Sequence, residues 1–177
     1  MIVISDTLPI IFFAKIKKLT LLKDLYSKIY IPTQVWEEIT FPLSQSNKGS
    51  SIDLKYEIEA KEEGWLIVKD PEKSEYHEIA LQLTQILGRG EAYAIALCLE
   101  LTANLLLIND KIAKEIAEEK GIKTIWNIEI LLNALEKGLI KTFNEFKNIL
   151  DNLIEIGLWI EKRHYEDILL KAKRFSQ

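Results

Sequence analysis

The chain of 177 residues is long enough for one domain with a substantial core and short for two. Apolar residues make up 48% and charged residues 28%, with 7 Gly and 4 Pro, which excludes a disordered or fibrous chain. The formal net charge of -4 excludes bulk attraction to nucleic acid or an anionic membrane, so a phosphate-bearing partner must be held by local basic groups or bound cations.

The opening "MIVIS" reads as a strand, and "MIVISDT" meets an aspartate without a basic leader or long apolar core, so no secretory signal is expected. "LPIIFFAKIKKLTLLKDLYSK" reads as one or two short helices, and its apolar part is too short to span a bilayer before Lys15. "KIYI" is a second strand, and Pro32 sits where the first turn of the helix "TQVWEEI" tolerates it. Residues 41–52, "FPLSQSNKGSSI", read as an exposed loop. "DLKYEIEAKEEG" is helical and stops at Gly64, a C-cap candidate. "WLIV" is a third strand and "PEKSEYHEIALQLTQIL" a further helix. "GRGEAYAIALCLELT" is apolar on most sides and predicts a buried helix. "NLLLI" and "IKTIW" are later strands with the helix "KIAKEIAEEKG" between them, and the chain reads helical from residue 127 onward.

Strand and helix alternating in this order predict an α/β fold with a mostly parallel sheet of about five strands, covered on both faces. Residues 1–140 form the α/β domain of this reading, and residues 141–177 a C-terminal helical extension packed on it. The extension carries an apolar stripe that must bury on the sheet's flank or against a second copy. The single cysteine, Cys98, lies in "AIALCLEL" and is expected as a core residue in a reducing cytoplasm. Of the tryptophans, Trp65, Trp126 and Trp159 read as core packing, whereas Trp36 lies beside the acids described next. His77 and His164 lack a matching partner and read as surface residues.

In an open parallel sheet, ligands bind beyond the carboxyl ends of the strands, which makes the position of each acid informative. Asp6 ends the first strand and Asp110 the fourth; Glu38 follows the second strand on its helix, and Glu91 opens the helix before the fourth. Each has a structural reading too: Asp6 and Asp110 as N-caps, Glu38 as a solvated helix face, Glu91 as an acid favoured by a helix dipole. Converging, they would repel one another unless a divalent cation sat among them. Oxygen ligands select Mg2+ or Mn2+ and leave positions for phosphate oxygens, the chemistry of a metal-dependent phosphodiesterase. Lys15, Arg89 and Lys111 are candidate phosphate guides near that edge, with Lys17, Lys18 and Lys114 further out.

"VISDT", "IYIPTQVWEEI", "GRGEAYAIALCLEL" and "LLLIND" resemble, in order, the acidic motifs of PIN-domain proteins, nearest to a prokaryotic branch related to VapC toxins with an extra C-terminal helical segment. The resemblance implies a three-layer α/β/α sandwich and a Mg2+- or Mn2+-dependent ribonuclease acting on RNA. By the same resemblance Asp6, Glu38, Glu91 and Asp110 match the family's acids, with Asp6, Glu91 and Asp110 as metal ligands and Thr7 as the hydroxyl residue that helps orient water. Homodimers and a cognate antitoxin are the partners it implies. One departure stands out: many members carry a further acid where this chain has Ile112, leaving Asn109 as a candidate neutral oxygen. The competing expectation is a catalytically weak PIN-fold protein that binds or regulates a partner.

Overall fold

The structure is a computed structural model that describes residues 1–45 and 54–175. In chain order the elements are β1 (Val3–Ser5), α1 (Thr7–Lys15), α2 (Thr20–Tyr26), β2 (Ile29–Ile31), α3 (Thr33–Gln45), α4 (Lys55–Glu62) and β3 (Leu66–Val68). There follow α5 (Ser74–Leu83), α6 (Arg89–Glu100), β4 (Leu105–Leu107), α7 (Lys111–Glu119), β5 (Thr124–Ile125), α8 (Asn127–Glu136), α9 (Phe143–Glu155) and α10 (Lys162–Phe175).

The five strands form one sheet in the order β3-β2-β1-β4-β5, and every pairing is parallel. Short runs of Val, Ile and Leu suit such strands, because both faces of the sheet are buried. Side chains along a strand alternate between faces, and here the alternation divides the core in two. Val3, Ile29, Ile31, Leu105 and Leu107 pack with α1, α2, α8, α9 and α10, whereas Ile4 and Leu106 pack with α5, α6 and α7. The result is the three-layer α/β/α sandwich. Phe13 and Phe146 are fully buried on the first side, and the Ala-rich α6 is buried on the second with Cys98.

The C-terminal helices join this core. Phe146, Ile149, Leu150 and Leu153 of α9, with Ile168 and Ala172 of α10, belong to the same cluster as the sheet. The apolar stripe of the extension is therefore covered by its own chain. No helix among the described residues is long and apolar enough to cross a membrane.

Two expectations need correction. Helix α3 continues to Gln45, so residues 41–45 are helical and not loop; the rest of the predicted loop, 46–52, lies outside the described residues. Pro42 forfeits one helical hydrogen bond, yet the turns before it are anchored by buried Val35 and Ile39. Trp159 is 78% exposed between α9 and α10, not packed in the core. Gly64 meets its expectation: it follows α4 at φ 76°, the left-handed conformation that glycine adopts without steric cost.

Candidate metal centre

The strand order reverses between β1 and β4, since the chain runs outward from β1 through β2 to β3 and then returns to β1's other side. A crevice at the carboxyl ends of the strands is expected at that point. Asp6 and Asp110 come from the two strands that border it. The backbone of Asp6 is still tied to the sheet, its N–H donating to the Leu107 carbonyl at 2.9 Å. Asp6 occupies the N-cap position of α1, yet its side chain closes no capping hydrogen bond. The residue is 2% exposed and its Oδ2 is buried without a partner. A buried unpaired polar atom costs roughly 1–3 kcal/mol, and a ligand on this oxygen would remove that cost.

Glu38 closes the crevice from above. Helix α3 packs on both α1 and α6, and Glu38 links their N-terminal ends. Its Oε2 accepts from the Thr7 hydroxyl and its Oε1 from the Gly90 amide at 2.9 Å. A Cβ at Gly90 would lie 2.6 Å from Oε2 and 2.9 Å from Oε1 of Glu38, so only glycine permits this approach. Glu91, one residue on, folds back to accept from the Gly88 amide at 2.6 Å. Asp110 is the N-cap of α7, accepting from the Ala113 amide at 2.8 Å through Oδ1. For Glu91 and Asp110 the capping roles are thus real, and each engages the carboxylate through one oxygen.

Asp6 and Glu91 feel the charges of the other acids. Burial pushes the Asp6 carboxyl up to about 7; the charges of Glu91 and Glu38 add to this, while the amides of Thr7 and Leu8 pull the other way. Glu91 is also raised, first by burial and then by Asp110 and Glu38, against the Gly88 amide. No ion pair among the described residues includes any of the four. Backbone amides and the Thr7 hydroxyl offset their mutual repulsion in part, and no side-chain cation among the described residues does. A hard divalent cation fits this donor set, which is all oxygen and includes the orphaned Oδ2 of Asp6. Among the described residues no three acids, histidines or cysteines are drawn together tightly enough to cage an ion by themselves. Such a site suits an ion that keeps several waters and takes one or two carboxylates, as Mg2+ does.

The family model DUF3368, a PIN domain, matches residues 2–174. The chain is a PIN-domain protein. No curated protein matches it. PIN domains are generally nucleases and typically use divalent metals, so the fold here is of nuclease type.

The other predicted residues of this PIN domain are placed unevenly. Thr7 is buried, and its hydroxyl is given to Glu38. Asn109 does not offer its oxygen to the crevice: Oδ1 accepts from the Asn127 amide at 3.0 Å, leaving Nδ2, a donor, buried and unpaired. Ile112 is 57% exposed on the first turn of α7. Arg89 and Lys111 are the first residues of α6 and α7, at the crevice rim, and Arg89 lines a small pocket with Glu38 and Phe41. Lys15 is not near: it ends α1, about 13 Å along the helix from Asp6 at 1.5 Å per residue. Lys18, Lys111 and Lys114 are paired, at 3.6 Å with Glu145, 3.8 Å with Glu115 and 3.8 Å with Glu118. Trp36 is half-buried, with the Lys61 ammonium 4.4 Å from its ring centroid.

The sequence reading missed Asn127. It opens α8 at the carboxyl end of β5, is fully buried, and has neither side-chain atom hydrogen-bonded. The strand-end rule that selected Asp6 and Asp110 applies equally after β5, and "IWNIE" carried that signal.

Proposed function

We propose that this PIN domain is a metal-dependent endoribonuclease related to VapC toxins, hydrolysing RNA to products with a 5′-phosphate and a 3′-hydroxyl. One observation carries the reading: Asp6 is a buried carboxylate at the topological switch point, with an unpaired oxygen and acidic neighbours in place of a basic one. Mg2+ or Mn2+ held among Asp6, Glu91 and Asp110, on one or two of them directly and on the rest through water, would supply the positive charge that activates water and offsets the negative charge of the scissile phosphate.

The chain's own groups divide the remaining work. Glu38 holds the starts of α1 and α6 together through Thr7 and Gly90, fixing Asp6 and Glu91 relative to each other. Thr7 acts by orienting Glu38. The Gly88 and Ala113 amides hold one oxygen each of Glu91 and Asp110, which restricts how these side chains can turn. Arg89 and Lys111 offer cationic contacts to the RNA backbone at the rim. A cytoplasmic setting suits the unpaired thiol of Cys98. A cognate antitoxin and a homodimer are the partners of this reading.

A second reading, a catalytically weak protein that binds or regulates a partner, draws on two observations. Ile112 stands where a further acid would, and the Asn109 oxygen is spent on Asn127. The test is incubation of single-stranded RNA with Mg2+ or Mn2+, with end-group analysis of the products. The ribonuclease reading expects 5′-phosphate ends that vanish in chelator and in Asp6→Asn. No cleavage of any RNA supplied favours the second reading, and cleavage that persists unchanged in both overturns the metal-dependent mechanism.

A further inference from the structure

Helix α10 carries five basic residues, Lys162, Arg163, Lys171, Lys173 and Arg174, against two acids, Glu166 and Asp167, in a chain whose net charge is -4. Its apolar side, Tyr165, Ile168, Leu169 and Ala172, packs into the core. Its other side borders a groove of about 650 Å³ whose opposite wall comes from α7 and the start of α8. Arg163, Lys171 and Arg174 line that groove at spacings of eight and three residues, one helix face about 16 Å long. None of the three takes part in an ion pair among the described residues. In the same groove the rings of Trp126 and His164 meet edge to face at 5.6 Å.

We infer that this groove is a binding track for single-stranded RNA, leading from the carboxylate site along α10. The inference rests on the ribonuclease reading for its substrate and names where that substrate lies outside the crevice. Unpaired cations in a row, beside the half-buried Trp126 and the exposed His164, suit a single strand: charge for its phosphates and aromatic surface for its unstacked bases. Acids are present as well. Glu129 accepts from the Trp126 amide at 3.2 Å, and Glu161 and Asp167 complete the lining, so phosphates follow the Arg163–Lys171–Arg174 side. None of the four acids lines the groove, but its wall is tied to them through the chain. Lys114, in its wall, lies one turn along α7 from Asp110 and donates its amide to the Asp110 carbonyl at 3.0 Å. Trp126 precedes Asn127, whose amide is bonded to Asn109, the neighbour of Asp110.

The test uses a fluorescently labelled single-stranded oligoribonucleotide in chelator, where nothing is cleaved, with anisotropy read across a salt titration. The triple variant Arg163→Ala, Lys171→Ala, Arg174→Ala removes exposed side chains only, and an unchanged Mn2+ isotherm shows that its fold and crevice persist. Affinity at low salt is expected to fall at least about tenfold, and the slope of log affinity against log salt to lessen by about 2, at ~0.7 for each phosphate that is no longer neutralised. His164→Ala should weaken binding with the slope unchanged. A wild-type chain that binds no RNA, or a triple variant with unchanged affinity and slope, overturns the track, and the latter is what a groove built for a polypeptide would give. The two readings fail separately: cleavage retained by the triple variant with unchanged affinity removes the track alone, whereas RNA held through α10 but never cleaved removes the ribonuclease alone.

Discussion

Replacing Asp6 by Asn should stabilise the metal-free protein, the reverse of what a buried substitution usually does. The carboxyl has a folded-state pKa of about 7 against an ordinary value of 3.8. Because the folded value is the higher, the folded protein holds this proton more tightly than the unfolded chain. Ionisation therefore opposes folding, and this penalty is absent below about pH 3.8, grows through the interval, and is complete above about pH 7. The difference of about 3 pKa units corresponds to about 4 kcal/mol at 1.36 kcal/mol per unit. Asn keeps the shape and removes the charge. In chelator at pH 8 the variant should be more stable by up to about 4 kcal/mol, a rise in Tm of roughly 8–16 °C for a chain of this size. At pH 4 the wild-type carboxyl is protonated in the fold, and the two proteins should melt together. Denaturation of both proteins at the two pH values measures this, and the unrelated titrations cancel in the difference. A variant that is less stable at pH 8, or offset equally at both pH values, would refute the claim that burial and acidic neighbours strain Asp6. Saturating Mn2+ should narrow the gap, since an ion at a hundredfold excess over its Kd stabilises its host by about 2.7 kcal/mol.

Gly90→Ala should separate the site from stability: the added Cβ displaces the Glu38 carboxylate, while a helical Gly→Ala exchange gains up to about 1 kcal/mol. Thermal melts should show little loss, and RNA cleavage should fall at least about tenfold; equal activity would remove Glu38 from the site. Ile112→Asp, at an exposed position in the first turn of α7, should change stability by less than about 0.5 kcal/mol and tighten Mn2+ binding in calorimetry. Phe146→Ala should cost about 3–5 kcal/mol in chemical denaturation, because its ring is fully buried between the sheet and the C-terminal helices. A loss below about 1 kcal/mol would show that α9 contributes little to the common core.

The sheet and the acids were legible in the sequence because each has a local signal. Short apolar runs end at Asp6 and Asp110, and the strand-end rule converts those positions into neighbours without any knowledge of side-chain contacts. What a local signal cannot show is which of an acid's oxygens is free. Asp6 and Asp110 read alike as N-caps, yet Asp6 keeps a buried, unpaired Oδ2, whereas Asp110 caps α7 through Oδ1. Asn109 read as a spare oxygen, but its partner lies on α8, in another part of the chain. Pro42 and the serines around it resembled a loop, and the helix continued because Val35 and Ile39 anchor its buried face. The groove along α10 had no sequence signature, since Lys114, Trp126 and Arg163 become neighbours only once the helices pack.

Calorimetric titration of Mn2+ into the wild-type chain, Asp6→Asn and Asp110→Asn tests the central claim most directly. Asn caps helices about as well as Asp, so Asp110→Asn retains its fold and reports the ligand role alone. A shared metal site predicts one binding event in the wild-type protein that both substitutions abolish. Absent binding, or binding indifferent to both, would contradict it and leave the two aspartates without a shared metal.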